Sequence, residues 1–551
     1  MRKFRWQLLI VLITALVVGV VLYFHQQSPQ VEVAQTPSAI SGGSYTEALV
    51  GSFMRLNPML DHLNQPDRDV NRLLFSSLIH FDASGLPVGD LARSWNVSED
   101  GAVYTVNLRA DAVWHDGTPL TAQDVIYTIS LLQSQHPLIP ANLQEFWNAV
   151  TVSAVSDSTL EFSLPVAYAP FMDYLNFQVL PAHLLGNLGM DALVDHPFNL
   201  NPIGSGPFRF DSIEIENGTI TGVNLVSFEY YFDGQPFIDE IHFRYYPDES
   251  AALDAYLEGE VDGLSQIHNE DLSTVLNQPG LNLYSSRQPK LSIVFLNLRN
   301  PNVPVLQNVD FRKALMAGIN RQEMIDEVLN GQGVLAQGPI MPGNWAFYPE
   351  QSEYRYDPDG ARQILAAMGL SQAEDGRFLS DGTPIELELL TSDDPEHIAM
   401  AEILRQNWQK IGVIVSVVSS PYDQVIARLE NRDYQMALVD VDLSETPDPD
   451  PYQFWAESQI NGGQNYAQWS NATASSYLEQ ARQVPGVEVR KRLYRNFQVL
   501  FEEDLPSLPL FYPVYNYAVK DSINDLMFGP VYNPADRFNN VREWYILTGV
   551  E

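Results

Sequence analysis

The sequence predicts an α/β protein of more than one domain, with a transmembrane helix at its N-terminus. Three observations predict it. Across residues 385–443, apolar runs of strand length alternate with amphipathic stretches of helical period, strand–helix–strand–helix–strand, the pattern of an α/β lobe with at least partly parallel pairing. A chain of 551 residues that is 45% hydrophobic has material for two or three cores. At the start, Arg2, Lys3 and Arg5 precede residues 8–24, an uncharged apolar run that extends roughly 26 Å as a helix at about 1.5 Å per residue.

The elements follow in order. Basic residues ahead of the apolar run put the N-terminus inside and everything after about residue 25 outside. No small-x-small cleavage site follows it, only His25, Gln26 and Gln27, so an uncleaved anchor is expected rather than a signal peptide. Residues 26–43, QQSPQVEVAQTPSAISGG, read as a flexible tether. In residues 91–128 a turn at Ser98-Glu99-Asp100-Gly101 leads into the alternating strand VYTVNL, and a second turn at His115-Asp116-Gly117 leads to a helix start. There Thr121 and Asp124 have capping-box spacing, and Val125, Ile129 and Leu132 form one apolar face. Up to about residue 288 strands and turns dominate, among them the tight turn GSGPF at residues 204–208 and the strand EIHFRYY. A helix at about residues 249–258 interrupts them.

From about Lys290 helices become frequent. Asp310 is expected to cap FRKALMAGI, Asn320 and Glu323 to form a capping box at the start of a helix that Gly331 stops, and Pro358 to open a helix with Ala361, Leu365 and Met368 inward. IELELL is a strand; Asp394-Pro395 opens a helix turning Ile398, Trp408 and Ile411 inward, and Gly412 ends it. VIVSVV reads as a buried strand, residues 422–430 as a helix and YQMALVDVDL as a strand. A last helix with Leu493, Phe497, Leu500 and Phe501 inward precedes a strand-like tail.

Charge and cysteine usage exclude several functions. With 31 Lys+Arg against 69 Asp+Glu the net charge is −38, which repels phosphate backbones and argues against nucleic-acid binding. The chain has no cysteine, so disulfides, thiolate metal sites, thiol catalysis and an acylated-cysteine anchor are excluded.

Several segments carry a family resemblance: LARSW, LRADAVWHDG and TPLTAQDV, then GSGPF, VDFRKALMAGINR, YDPDGARQILAAMGL, the PDPDP turn and DLPSLPLF, in that order over about residues 45–545. The chain resembles the extracytoplasmic solute-binding proteins of the peptide/nickel class, family 5, which serve ABC importers. The resemblance implies a two-lobe, periplasmic-binding-protein-like fold (class II, cluster C) with a hinge, and a solute trapped between the lobes. It places lobe I at residues 45–287 with an extra subdomain at about 83–195, lobe II at 288–507, and a return to lobe I at 508–551. It implies as partners a small-molecule solute, a permease and an ATPase, with the membrane reached through the N-terminal helix, and a monomeric receptor.

In open α/β sheets the binding crevice lies beyond the C-terminal ends of the strands. The strand ending in Asp440 and Asp442, with Ser444 beyond it, is therefore the first candidate for polar anchoring. The loop continues through Pro447-Asp448-Pro449-Asp450-Pro451, where the aspartates are read as turn formers, to Phe454 and Trp455. In peptide-binding relatives a similar loop carries WxxDYxDP, whose first Asp anchors the peptide's amino terminus. Here Ser444 falls near that position, with one extra residue before Asp448-Pro449, and Asp442 is available two positions earlier. A peptide and an oligosaccharide both remain open as cargo. Trp345, Trp455 and Trp469 are candidate stacking surfaces, and Tyr422, Asn465, Tyr466, Phe53 and Asn57 candidate lining residues.

Catalysis finds little footing. The motifs HExxH, GxSxG and the phosphate-binding glycine loop do not occur. Asp440 and Asp442 lie on one strand face without an opposed carboxylate, which leaves a secreted glycan hydrolase the weaker alternative. His115-Asp116-Gly117 is a turn rather than a metal or triad fragment. No catalytic residue, metal ligand or cofactor is assigned.

Overall fold

One strand, Ser507–Lys520, belongs to two sheets at once. In the computed structural model, which describes residues 41–546 apart from 270, 351–353, 381, 445–446 and 530, its residues 507–511 pair antiparallel with Lys290–Leu296. Its residues 514–520 pair antiparallel with Leu281–Arg287. Beyond Lys290–Leu296 lie Met436–Asp442, Glu386–Ser392 and the edge strand Ile414–Ser420, the last three mutually parallel. In the other direction lie Gly263–Leu264, Ser44–Val50 and Glu240–Tyr246, then Thr219–Ser227 and Phe208–Glu216. The chain crosses between the sheets at Gln288-Pro289 and again inside Ser507–Lys520, where the Gln288 N–H donates to the Pro513 carbonyl at 2.8 Å.

The sheet of lobe II is covered on both faces by separate cores. One gathers Leu389, Leu404 and Trp408, the other Leu390, Tyr434 and Phe497. Parallel strands need this double cover. Lobe I contains a four-stranded antiparallel sheet, in the order Ala92–Val97, Val103–Leu108, Thr159–Ser163, Thr151–Ser156. This sheet has no core of its own: Tyr104, Val106 and Trp147 pack in the same cluster as Tyr45, Leu49 and Phe243. The first strand and the C-terminal turn are joined by charge. Arg537 donates to Glu47 (2.8 Å) and to Asp69 (2.7 Å), all three buried.

The turn and capped helix of residues 91–128 form as expected. Val103–Leu108 alternates buried and half-buried positions. The helix is Ala122–Leu132, and the Thr121 N–H donates to the Asp124 carboxylate at 2.7 Å. The turn at His115 meets GSGPF directly. The Gly204 N–H donates to His115 Nδ1 (3.1 Å), and Nε2 lies 3.0 Å from the Gly206 carbonyl, which fixes a neutral imidazole with its proton on Nε2. A Cβ at Gly206 would come within 2.3 Å of the Leu73 carbonyl oxygen, so glycine lets the loop lie against the helix Gln65–Leu74.

Several elements differ from expectation. Asn308, not Asp310, caps Val309–Ala317, its side chain accepting from the Asp310 and Phe311 N–H groups. Asn320 caps Arg321–Glu327, but Glu323 accepts from Asn407 instead of closing a box. Ile398 is 41% exposed, on the outer side of the first turn of Pro395–Lys410, which Asp394 caps. VIVSVV is an edge strand and only partly buried. Leu493 and Leu500 are half-buried flanks of the stripe formed by Phe497 and Phe501. The anchor and tether expected at residues 1–40 lie outside the described residues. Among the described residues no helix is long and apolar enough to cross a membrane.

Burial holds the His115 ring at about pH 4, below the unfolded value near 6.5. The unfolded chain therefore takes up this proton first as pH falls. The stabilising contribution is complete above about pH 6.5 and is lost between there and about 4, at up to about 1.4 kcal/mol per pH unit. Urea midpoints measured from pH 7.5 to 4.5 should fall less steeply in His115→Gln than in wild type; equal slopes would contradict this account.

Candidate functional site

The ends of Glu386–Ser392 and Met436–Asp442 lie beside the start of Lys290–Leu296, at the crossing between the lobes. Their exits bring four ionisable groups together. Lys290 Nζ is 2.6 Å from Asp440 Oδ2, and the Ser292 hydroxyl donates to Asp440 Oδ1 at 2.5 Å. His397 reaches both ways, with Nε2 3.5 Å from Asp440 and Nδ1 3.0 Å from Asp394. Burial alone would lower the Lys290 amine, but Asp440 outweighs it and the pKa ends above its ordinary value. Burial raises Asp394, but the bonds from Ser392 and His397 together outweigh it and hold it at about 2. Asp440 is thus neutralised in place and forms the floor of the site.

Asp442 differs. It is exposed, and among the described residues it has no cation within 4 Å, Lys290 having turned to Asp440 although it stands opposite Asp442 in register. The Ser444 N–H folds back to donate to Asp442 Oδ1 at 2.8 Å, which brings the Asp442 carboxylate beside residue 444. Tyr422, 66% exposed at the first turn of Tyr422–Glu430, borders the same space.

Three cavities meet here. One of about 540 Å³ is bounded by Asp440, Asp442 and Tyr422 of lobe II and by Gln65, Arg68 and Tyr532 of lobe I. A second, of about 560 Å³, shares Tyr422, Asp442 and Tyr532 with it and extends to Tyr466 and Phe454. A third, of about 710 Å³, lies mostly in lobe I and touches the others at Ser444 and Tyr532. Volumes of this size suit a small organic solute.

The structure brings Asp440, Asp442, Ser444, Tyr422 and Tyr466 to these cavities, and places the other sequence candidates elsewhere. Trp345 is buried edge-on against Tyr494. Trp455 is buried against Phe295 and Phe501. Trp469 is buried against Phe501, its indole N–H donating to Asp504 at 2.9 Å. All three faces are taken up by the lobe II core, where helix Val487–Asp504 packs, so they offer no stacking surface. Asn465 is buried and binds the Ala456 and Trp469 carbonyls through its amide. Asn57 is buried and binds Asn199 at 3.0 Å. Phe53 is half-buried against the lobe I core, edge-on to Tyr245.

The PDPDP loop is more than a turn. Asp448 pairs with Arg490 at 2.5 Å and Asp450 with Arg482 at 2.9 Å. The Asp448 N–H also donates to Asp173 of lobe I at 2.6 Å, and Arg482 stacks over Tyr168 of lobe I at 5.1 Å. Burial, and after it the Asp448 charge, pushes the Asp173 carboxyl well above the ordinary range. With the Trp345 N–H bonded to the Ser84 carbonyl at 2.8 Å, these contacts hold the subdomain of lobe I against lobe II.

Sequence reasoning missed Lys290, His397 and Asp394. The strand-exit rule that found Asp442 applies equally to Glu386–Ser392 and would have found Asp394. Arg68 and Tyr532 carry no local signal; only the fold brings them to the cleft.

A cleft between two α/β lobes, lined at strand exits by polar and aromatic side chains, is the architecture of a solute-binding receptor. The chain belongs to the bacterial extracellular solute-binding proteins of family 5, whose "family 5 Middle" model matches residues 87–464. It is 24% identical over 499 residues to the dipeptide-binding protein of Escherichia coli strain K12, covering 84% of this chain and 90% of that one. It is 25% identical over 514 residues to the oligopeptide-binding protein AppA of Bacillus subtilis strain 168, covering 92% of each. The fold is shared with HbpA2 from Haemophilus parasuis, with a TM-score of 0.79 at 21% identity over 90% of this chain and 99% of that one.

Burial separates the tryptophans from the lining residues. Trp455→Ala should cost about 3–5 kcal/mol in denaturant unfolding, and Tyr422→Ala less than about 0.5 kcal/mol. Similar small losses for both would mean that Trp455 is not the core residue described.

Proposed function

We propose that this receptor captures peptides with a free amino terminus between its lobes and delivers them to an ABC permease and its ATPase. The observation that carries the reading is the hydrogen bond from the Ser444 N–H to Asp442. It puts an exposed carboxylate, with no cation within 4 Å among the described residues, beside the position where the resemblance expects the amino-anchoring Asp. The names of the curated relatives from Escherichia coli and Bacillus subtilis support a peptide cargo. An oligosaccharide is less well served, since the three tryptophans that would stack on it lie in the core.

Closure is proposed to bend the chain at Gln288-Pro289 and at residues 512–514. Pro289 and Pro513 lack an N–H to contribute to the ladder there. A ligand touching both walls favours the closed form by that difference in contact alone. Residues 8–24 are proposed to anchor a monomeric receptor with its body outside the membrane.

Thermal shifts of the full-length protein against peptides and oligosaccharides test the cargo. Free-amine peptides at 100 times Kd should stabilise it by about 2.7 kcal/mol. N-acetylation, or Asp442→Asn, should weaken binding at least tenfold; stabilisation by oligosaccharides alone would overturn the reading. Replacing residues 1–25 with a cleavable signal peptide should move the protein from the membrane fraction to the soluble extracytoplasmic fraction, and an unchanged distribution would count against the anchor.

A further inference from the structure

Lobe I holds a second gathering of titratable side chains, outside the three cavities at the cleft. The strands Glu240–Tyr246 and Gly263–Leu264 both run parallel to Ser44–Val50, so their exits open on one edge of the sheet. Just past the first exit, Glu249 begins the helix Glu249–Glu258. Just past the second, His268 starts a tight turn, its carbonyl accepting from the Asp271 N–H at 3.1 Å. The side chains converge. His268 Nδ1 is 2.7 Å from Glu249 Oε2, and one donor atom from each of Glu249, His268 and Asp271 lies within 4.8 Å of the other two. The Glu249 side chain is only 8% exposed, whereas His268 is 59% exposed and leaves the cluster open to solvent.

An ion pair accounts for His268 and Glu249 but not for Asp271. An Asp at the start of a helix ordinarily turns its carboxylate back onto a backbone N–H. Asp271 stands at the N-cap of Leu272–Leu276 and makes no such bond; its carboxylate lies by His268 and Glu249 instead. Two carboxylates against one imidazole leave net negative charge whichever form the ring takes. Imidazole nitrogen with carboxylate oxygen is a donor set of zinc and its transition-row neighbours, while calcium and magnesium take oxygen donors, and more of them. Bonds of about 2.0–2.2 Å set the donors of a tetrahedral zinc ion about 3.3–3.6 Å apart. The separations here bracket that spacing, so side-chain rotation alone can reach it.

We propose that Glu249, His268 and Asp271 bind a divalent transition-metal ion, zinc by its donor set, with the fourth position left to water. The ion is a resident of lobe I rather than cargo, and it clasps the loop after Gly263–Leu264 to the helix Glu249–Glu258. That loop also reaches the cleft, because the Ser265 carbonyl accepts from the Tyr515 hydroxyl and Tyr515 lines the cavity of about 540 Å³.

Zinc titrations of the chelator-stripped full-length protein, by calorimetry and thermal shift, test this. Zinc should bind one ion per chain and raise the melting temperature. His268→Gln and Asp271→Asn should each weaken binding at least about tenfold, since losing even a hydrogen-bond partner of a metal ligand costs that much. Both changes lie on exposed or half-exposed positions, and unchanged melting of the metal-free variants checks that they fold. Asp191→Asn, which breaks the His136–Asp191 pair (3.4 Å) elsewhere in lobe I, should leave zinc binding as in wild type. Absence of zinc binding overturns the proposal. So does zinc binding that His268→Gln and Asp271→Asn leave intact, or stabilisation by calcium equal to that by zinc.

Discussion

The constraint on which the architecture depends is that both lobes hydrogen-bond to one continuous strand. Ser507–Lys520 cannot leave either sheet without breaking a ladder, so the closure proposed above has to bend the few residues between its two pairings. Pro509 and Pro513 lie in the strand and Pro289 in the crossing beside it, none with an N–H to give, and the register with Lys290–Leu296 shifts at Ser292/Ile293. Gly333–Leu335 and Gln288 supply the cross-links that remain there. The floor of the cleft, Lys290 and Asp440, sits beside this crossing, so a small change in backbone angle there leaves the floor nearly in place and moves the distant walls furthest.

Charge inside the protein follows a different logic from charge on its surface. The net charge is −38, yet several buried carboxylates each have a specific cation. Arg537 serves Glu47 and Asp69, and Arg490 serves Asp448. Such pairs contribute little net stability compared with apolar packing, but losing one partner costs about 3–5 kcal/mol. They specify arrangement. The Arg537 cluster draws the C-terminal turn Pro534–Phe538 onto the first strand, which delivers Tyr532 and Asn533 to the cleft.

What the sequence revealed and what it hid divide along the range of the interaction. Val103–Leu108, the Thr121–Asp124 cap and Tyr422–Glu430 were legible because alternation, capping and 3.6-residue periodicity are local. The helix Gln65–Leu74 was missed because its inward face carries Asp67, Asp69 and Asn71, buried polar residues that erase the apolar stripe. The tryptophans were misplaced for a related reason: sequence position near a strand exit does not say which side of the sheet a ring turns to. Trp455 lies eleven residues after Ser444, yet it faces Phe501 and not the cavity.

On the proposed reading, Asp442 and Ser444 retain the anchoring chemistry while the motif shifts. Residues at 442 and 444 leave a strand on the same face, so a turn that folds the N–H of 444 onto the carboxylate of 442 brings the earlier side chain forward by about one pleat. A motif search reads this as the loss of an aspartate. In space the carboxylate is displaced by one turn, and its charge remains available because Lys290 is occupied by Asp440 two residues earlier. The ion pair in the floor thus maintains the free charge at the rim: without Asp440, Lys290 would be left opposite Asp442 in register and would cancel it.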